Sequence, residues 1–100
     1  VKNVTLFRNK DTAEFPDAIT TRGSKHLLAL IDAIRKGYKS YLLFLVQIQN
    51  INYFKIAKDI DSEYYKNFLL AKKAGVKFLV YRCKINHKEI KIEKKLKLIL

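Results

Sequence analysis

Apolar and polar residues alternate along the opening segment. Lys2, Val4 and Leu6 fall on one face, while Val1, Asn3, Thr5 and Phe7 fall on the other, the two-residue period of a strand over 1–7. Arg8 to Thr20 is polar, holds Phe15-Pro16-Asp17 and reads as a loop. The period then changes. Leu27, Leu30, Ile31 and Ile34 stand at i, i+3, i+4 and i+7, predicting a helix from Thr21 to Lys36. Thr20 or Thr21 caps its start, and Gly37 sits where a left-handed residue ends a helix. Tyr41 to Ile48 is apolar at nearly every position, which marks a strand covered on both faces. Asn50 to Ile60 shows no period and reads as irregular. A second helix starts at Asp61 or Ser62 and ends at Gly75, with Tyr64, Phe68 and Ala71 on one face. Val76 to Ile85 is a further strand, followed by the polar break Asn86-His87-Lys88. In the tail, Ile90, Ile92, Leu96, Leu98 and Leu100 occupy even positions opposite Glu89, Lys91, Glu93, Lys95 and Lys97. That alternation predicts a half-buried strand with a charged outer face. The order β-α-β-α-β-β implies an α/β fold, a mixed sheet flanked by helices.

The chain has 100 residues, 49% of them apolar, which suits one domain with one core. No repeat or Pro/Gly/Ser linker divides it. The longest apolar run, Tyr41 to Val46, is six residues, short of the ~20 a membrane helix needs. Val1-Lys2-Asn3-Val4-Thr5 carries no secretory apolar core, and the single cysteine, Cys83, excludes an internal disulfide. A soluble, cytoplasmic, reducing setting with no membrane partner is the expectation.

Charge narrows the classes of partner. Against 21 Lys and Arg stand 9 Asp and Glu, a net +12 that favours polyanions, nucleic acid first. Seventeen of the cations are lysines, as a solvated surface in a lysine-rich proteome would also give. Arginine, which forks onto phosphate, occurs only at Arg8, Arg22, Arg35 and Arg82.

Lys2 shares a strand face with Val4 and Leu6. It is either an end residue reaching past an apolar layer or a lysine at the mouth of a phosphate site. Thr21-Arg22-Gly23-Ser24-Lys25-His26 concentrates cations in the first turns of a helix, where the dipole favours negative charge. A polar surface start explains this, and so does an anion site in which phosphate meets the cations and free N–H groups. Gly23 weakens the helix and permits close approach of a backbone or ligand. Arg22, Ser24, Lys25 and His26 are the candidate nucleic-acid contacts. His26 taken alone is more often a hydrogen-bonded structural residue, and His87 falls in the predicted turn. No zinc spacing and no glycine-rich phosphate loop occurs. Ser24, His26 and Asp17 make no credible triad without a nucleophile elbow. Tyr53, Phe54, Tyr64 and Tyr65 could stack on bases, although core packing explains most of them.

Val-Lys-Asn-Val-Thr-Leu at 1–6, Phe-Pro-Asp-Ala at 15–18, Arg-Gly-Ser-Lys-His-Leu at 22–27 and Leu-Phe-Leu-Val-Gln at 43–47 occur in that order. Together they resemble the C-terminal domain of the sugar fermentation stimulation protein A family, over roughly residues 1–85. The resemblance implies a restriction-endonuclease-like fold of the PD-(D/E)xK type, here as one nuclease-like domain over 1–100 without the family's N-terminal OB-like barrel. It implies a DNA-binding protein with a regulatory part in sugar (maltose) metabolism. Lys2 matches the lysine of the family's Glu-Val-Lys strand and would be the catalytic lysine of a nuclease. The glutamate would precede Val1, and an aspartate would lie further upstream. Asp17 and Glu14 are weak substitutes, so no cofactor or metal site is expected in this chain, with Mg²⁺ reserved for a longer form. Ala29 departs from the family, whose helix carries glutamate there.

Three functions follow. The first is a DNA-binding domain largely indifferent to sequence. The second is a metal-dependent nuclease in a full-length protein, with the isolated chain inactive. The third is an assembly module, a homodimer or hetero-complex formed through the strand from Glu89 to Leu100.

Overall fold

The computed structural model describes residues 1–86 and 88–100, so the turn expected at His87 lies outside the described residues. Among them the order is β1 (Lys2–Val4), β2 (Leu6–Asn9), β3 (Thr12–Phe15), α1 (Thr21–Arg35), β4 (Tyr41–Val46), β5 (Tyr53–Ile56), α2 (Ser62–Ala74), β6 (Lys77–Ile85), β7 (Ile90–Lys95) and β8 (Lys97–Ile99). The architecture is mixed α/β, with two four-stranded sheets where one was expected. The first runs β1-β4-β6-β7 and the second β2-β3-β5-β8. Each joins three parallel strands to one antiparallel neighbour, β7 on β6 and β2 on β3.

Both helices match their sequence signals. Leu27 and Ile31 of α1 are buried with Leu30 and Ile34 packed beside them, and α2 buries Tyr64, Phe68 and Ala71. Gly37 and Gly75 carry φ of 90° and 111°, the left-handed turn that releases each chain from its helix. The two helices share one core with the sheets, centred on Phe44. Its ring lies 5.5 Å from Phe15 and 4.8 Å from Phe54, and Phe68 stands 4.2 Å from Phe78.

The strands depart from expectation in four places. The opening segment is two strands, because the chain leaves the first sheet at Thr5 and enters the second at Leu6. The polar stretch read as a loop holds the hairpin β2–β3, and the irregular 50–60 segment holds β5 beside β3. The tail is not one half-buried strand. All six residues of β7 are exposed, Ile90 and Ile92 at 57% each, because β7 lies at a sheet edge and nothing among the described residues covers it. Leu96 is buried at the step to β8, and Leu100 is exposed again.

The hairpin went unread because its inward position is an acid. Glu14 lies on β3, between β2 and β5, with a fully enclosed side chain. Arg8 answers it from β2: Nη2 and Nε donate to the two Glu14 oxygens at 2.6 and 2.9 Å. The same guanidinium donates to Asp59 at 2.6 and 2.8 Å. Hydrogen bonds to both carboxylates, Asp59 first, raise the Arg8 pKa, and Arg8 pulls the Asp59 carboxyl down to about 2.

Candidate nucleic-acid interface

The starts of the two helices are held by one carboxylate. Thr20 caps α1, its Oγ1 accepting from the Gly23 N–H at 3.0 Å. The Thr20 N–H in turn donates to Asp61 Oδ2 at 2.9 Å, and Asp61 Oδ1 accepts from the Tyr64 N–H at 3.0 Å to cap α2. Asp61 is buried, so both of its bonds are shielded from water. Two helix N-termini are thereby fixed side by side.

Gly23 serves this joint. A Cβ there would stand 2.8 Å from Thr20 Cγ2 and 3.0 Å from Tyr64 Cε1, so the capping threonine and the α2 tyrosine occupy the space of the missing side chain. Gly23→Ala gains helix propensity yet overpacks the joint. A net loss of about 1–2 kcal/mol is expected, read as a lower urea midpoint with an unchanged slope. An unchanged or raised midpoint would refute the packing role.

The first turn of α1 contains no acid. Arg22, Lys25 and His26 stand at i, i+3 and i+4, so they adjoin on the helix surface. Arg22 and Lys25 are exposed and His26 is half-buried. Burial lowers the His26 pKa, and the positive charges of Lys2 and Arg22 lower it further. Lys2, half-buried on β1 at the edge of the first sheet, therefore lies within electrostatic reach of the α1 start. Lys2 on the edge strand and Arg22 and Lys25 at the helix start supply the charge of this cationic edge, and His26, whose protonation burial, Lys2 and Arg22 disfavour, is its polar member.

The remaining candidates fall elsewhere. Ser24 is buried at 8% exposure on the inward face with Leu27, and its Oγ has no hydrogen-bond partner among the described residues, so it is not presented to a polyanion. Asp17 is exposed on the loop before α1. Glu14 spends both oxygens on Arg8. Among the described residues no three His, Cys, Asp or Glu side chains stand together, so the carboxylates present do not fit a divalent cation. Of the aromatics offered for stacking, Phe54 and Tyr64 are fully buried and cannot meet a base. Two of the four arginines are structural: Arg8 in its carboxylate pair, and Arg82, which donates to the Ile51 carbonyl at 3.2 Å. What the sequence reading missed is the Asp61 clamp. A cap at Asp61 was legible, but the second oxygen's bond to Thr20, 41 residues away, was not.

Residues 1–89 match the family described as sugar fermentation stimulation protein RE domain. A sugar fermentation stimulation protein homolog of Pelagibacter ubique is 76% identical over 99 residues, which cover 99% of this chain and 43% of that protein. A homolog of Magnetococcus marinus is 43% identical over 96 residues, covering 96% of this chain and 41% of its own length. The chain thus spans less than half the length of these relatives. The solved structure of Pyrococcus furiosus SfsA in complex with Ca²⁺ superposes with a TM-score of 0.88 at 26% identity, over 99% of this chain and 43% of that one. Among the described residues no helix is long and apolar enough to cross a membrane.

Proposed function

We propose, from the premise that this chain belongs to the sugar fermentation stimulation protein family, that it is a cytoplasmic DNA-binding domain whose cationic edge grips the phosphate backbone with little regard to sequence. The observation that carries this reading is that Lys2 and Arg22 both bear electrostatically on His26, with Lys25 adjoining on the helix surface, beside an acid-free helix start. Phosphate oxygens relieve the mismatch between those cations and the helix dipole, and arginine supplies the fork that orients the strand. Contacts of this kind position a duplex without reading its bases. A regulatory part in sugar (maltose) metabolism rests on the family resemblance and on no residue of the edge.

The test is filter binding of a mixed-sequence duplex over a range of salt. Log K should fall linearly with log salt, by about 0.9 for each phosphate neutralised, and Arg22→Ala should make the slope shallower by about 0.9. A response flat in salt would overturn the proposal.

A second reading has support in the Ca²⁺ of the Pyrococcus furiosus structure and in the family's RE-domain description. In a longer form of the protein, acids outside this chain would hold Mg²⁺, and Lys2 would stabilise the charge that develops on the attacked phosphate. Plasmid nicking by that form with Mg²⁺ or Mn²⁺, lost in Lys2→Ala, is its expected result. Silence under both metals would remove it.

A further inference from the structure

The loop after β4 and the β6–β7 pair border an open polar cavity of about 200 Å³, lined by Gln49, Asn50, Arg82, Lys84 and Glu93. It shares no residue with the cationic edge. Its electrostatics are incomplete. The Arg82 guanidinium is anchored through Nη1 to the Ile51 carbonyl, but its Nε is buried and has no hydrogen-bond partner among the described residues. The carboxylate of Glu93 stands 3.7 Å from that Nε and 3.8 Å from Lys84 Nζ. Both are ion-pair distances, and both are too long for a hydrogen bond. One carboxylate is therefore divided between two cations and hydrogen-bonds to neither, which leaves the buried Arg82 Nε without an acceptor on the wall of the cavity.

We propose that this cavity is a binding site for a phosphate group. A phosphate carries more oxygens and more charge than a carboxylate, so one oxygen can accept from Arg82 Nε while another meets Lys84. The Gln49 and Asn50 amides add neutral donors at the same rim. Glu93 holds the two cations in the empty state and swings out as the anion enters. The volume lies below the roughly 300–1,000 Å³ of pockets that enclose whole drug-sized ligands, so the site takes the phosphate and leaves the rest of its carrier outside.

The experiment titrates the whole chain with inorganic phosphate at constant ionic strength, following the backbone amides of Gln49, Asn50 and Lys84 by NMR. Saturable shifts at these amides are expected. Lys84→Gln should weaken binding about two- to fivefold, the worth of a part-exposed charge pair. Glu93→Gln should tighten it by a similar factor, because it removes a competing anion. This opposite sign separates a phosphate site from diffuse attraction. Shifts that chloride reproduces, or a Glu93→Gln variant that binds no better, would overturn the proposal. A short DNA duplex identifies the source of the group. Shifts of the same amides at lower phosphate concentration assign the site to the nucleic-acid backbone. A silent duplex beside a responsive inorganic phosphate assigns it to a free phosphorylated compound.

Discussion

Arg8→Met leaves the protein markedly easier to unfold. The variant strands the Glu14 carboxylate, which is fully enclosed and has only Lys55 Nζ, at 4.0 Å, to answer it. Removing the exposed partner leaves the enclosed carboxylate without its guanidinium, so a clearly lower urea midpoint is expected. Urea denaturation at neutral pH measures it. The double variant Arg8→Met with Glu14→Leu should recover most of the loss, since an apolar pair leaves no charge without a partner. If the double variant is as unstable as the single, the ion pair is not what the hairpin depends on. Acid provides an independent check on the second carboxylate. The folded-state value of Asp59, about 2, lies below its ordinary 3.8, so its contribution is complete above pH 3.8 and fades as pH falls toward 2. Arg8→Met should abolish that acid-dependent part.

Asp61→Ala should cost about 2–4 kcal/mol: about 1 for a lost helix cap and about 1–3 for the Thr20 N–H left without an acceptor. Asp61→Asn separates the two roles. Its amide oxygen can still cap α2, but its NH₂ group meets the Thr20 N–H donor to donor, so about half the loss should remain. The joint also orders the start of α1, so the proposed DNA binding should weaken in Asp61→Ala beyond the effect on stability. If Asp61→Ala melts like the parent, the clamp between the helices is not structural.

The readable part of this fold was the part built from contacts close in sequence. Leu27 through Ile34 announce α1 by spacing, and Asp61 with Gly75 brackets α2, because a helix bonds within a few residues of itself. The strands of the first sheet were legible where burial is continuous, as over Tyr41 to Val46. Sheet membership was not. Alternation over residues 1–7 is the same whether the chain keeps one partner or changes sheets at Thr5, and nothing local records that change. The buried Glu14 reads as a loop residue until Arg8 is placed against it. Ile90 and Ile92 read as core because alternation cannot tell a covered face from an open edge. Of the candidate site residues, Arg22, Lys25 and His26 were read, together with Ser24, from their crowding in the first turns of a helix, and the helix turns Ser24 inward. Its neighbours in sequence give it polar company, but the helix places it on the opposite face with Leu27.

The central claim is that location, and not net charge alone, makes this chain a phosphate binder. It is tested by comparing two triple variants of equal charge in the same salt titration on one duplex. The first carries Lys2→Gln, Arg22→Gln and Lys25→Gln at the cationic edge. The second carries Lys39→Gln, Lys72→Gln and Lys77→Gln, all exposed and beyond the C-terminal ends of the helices or in their last turn. The first should flatten the log–log slope by up to about 2.7, three contacts at roughly 0.9 each, while the second leaves it close to that of the parent. Equal flattening by the two triples would contradict the account.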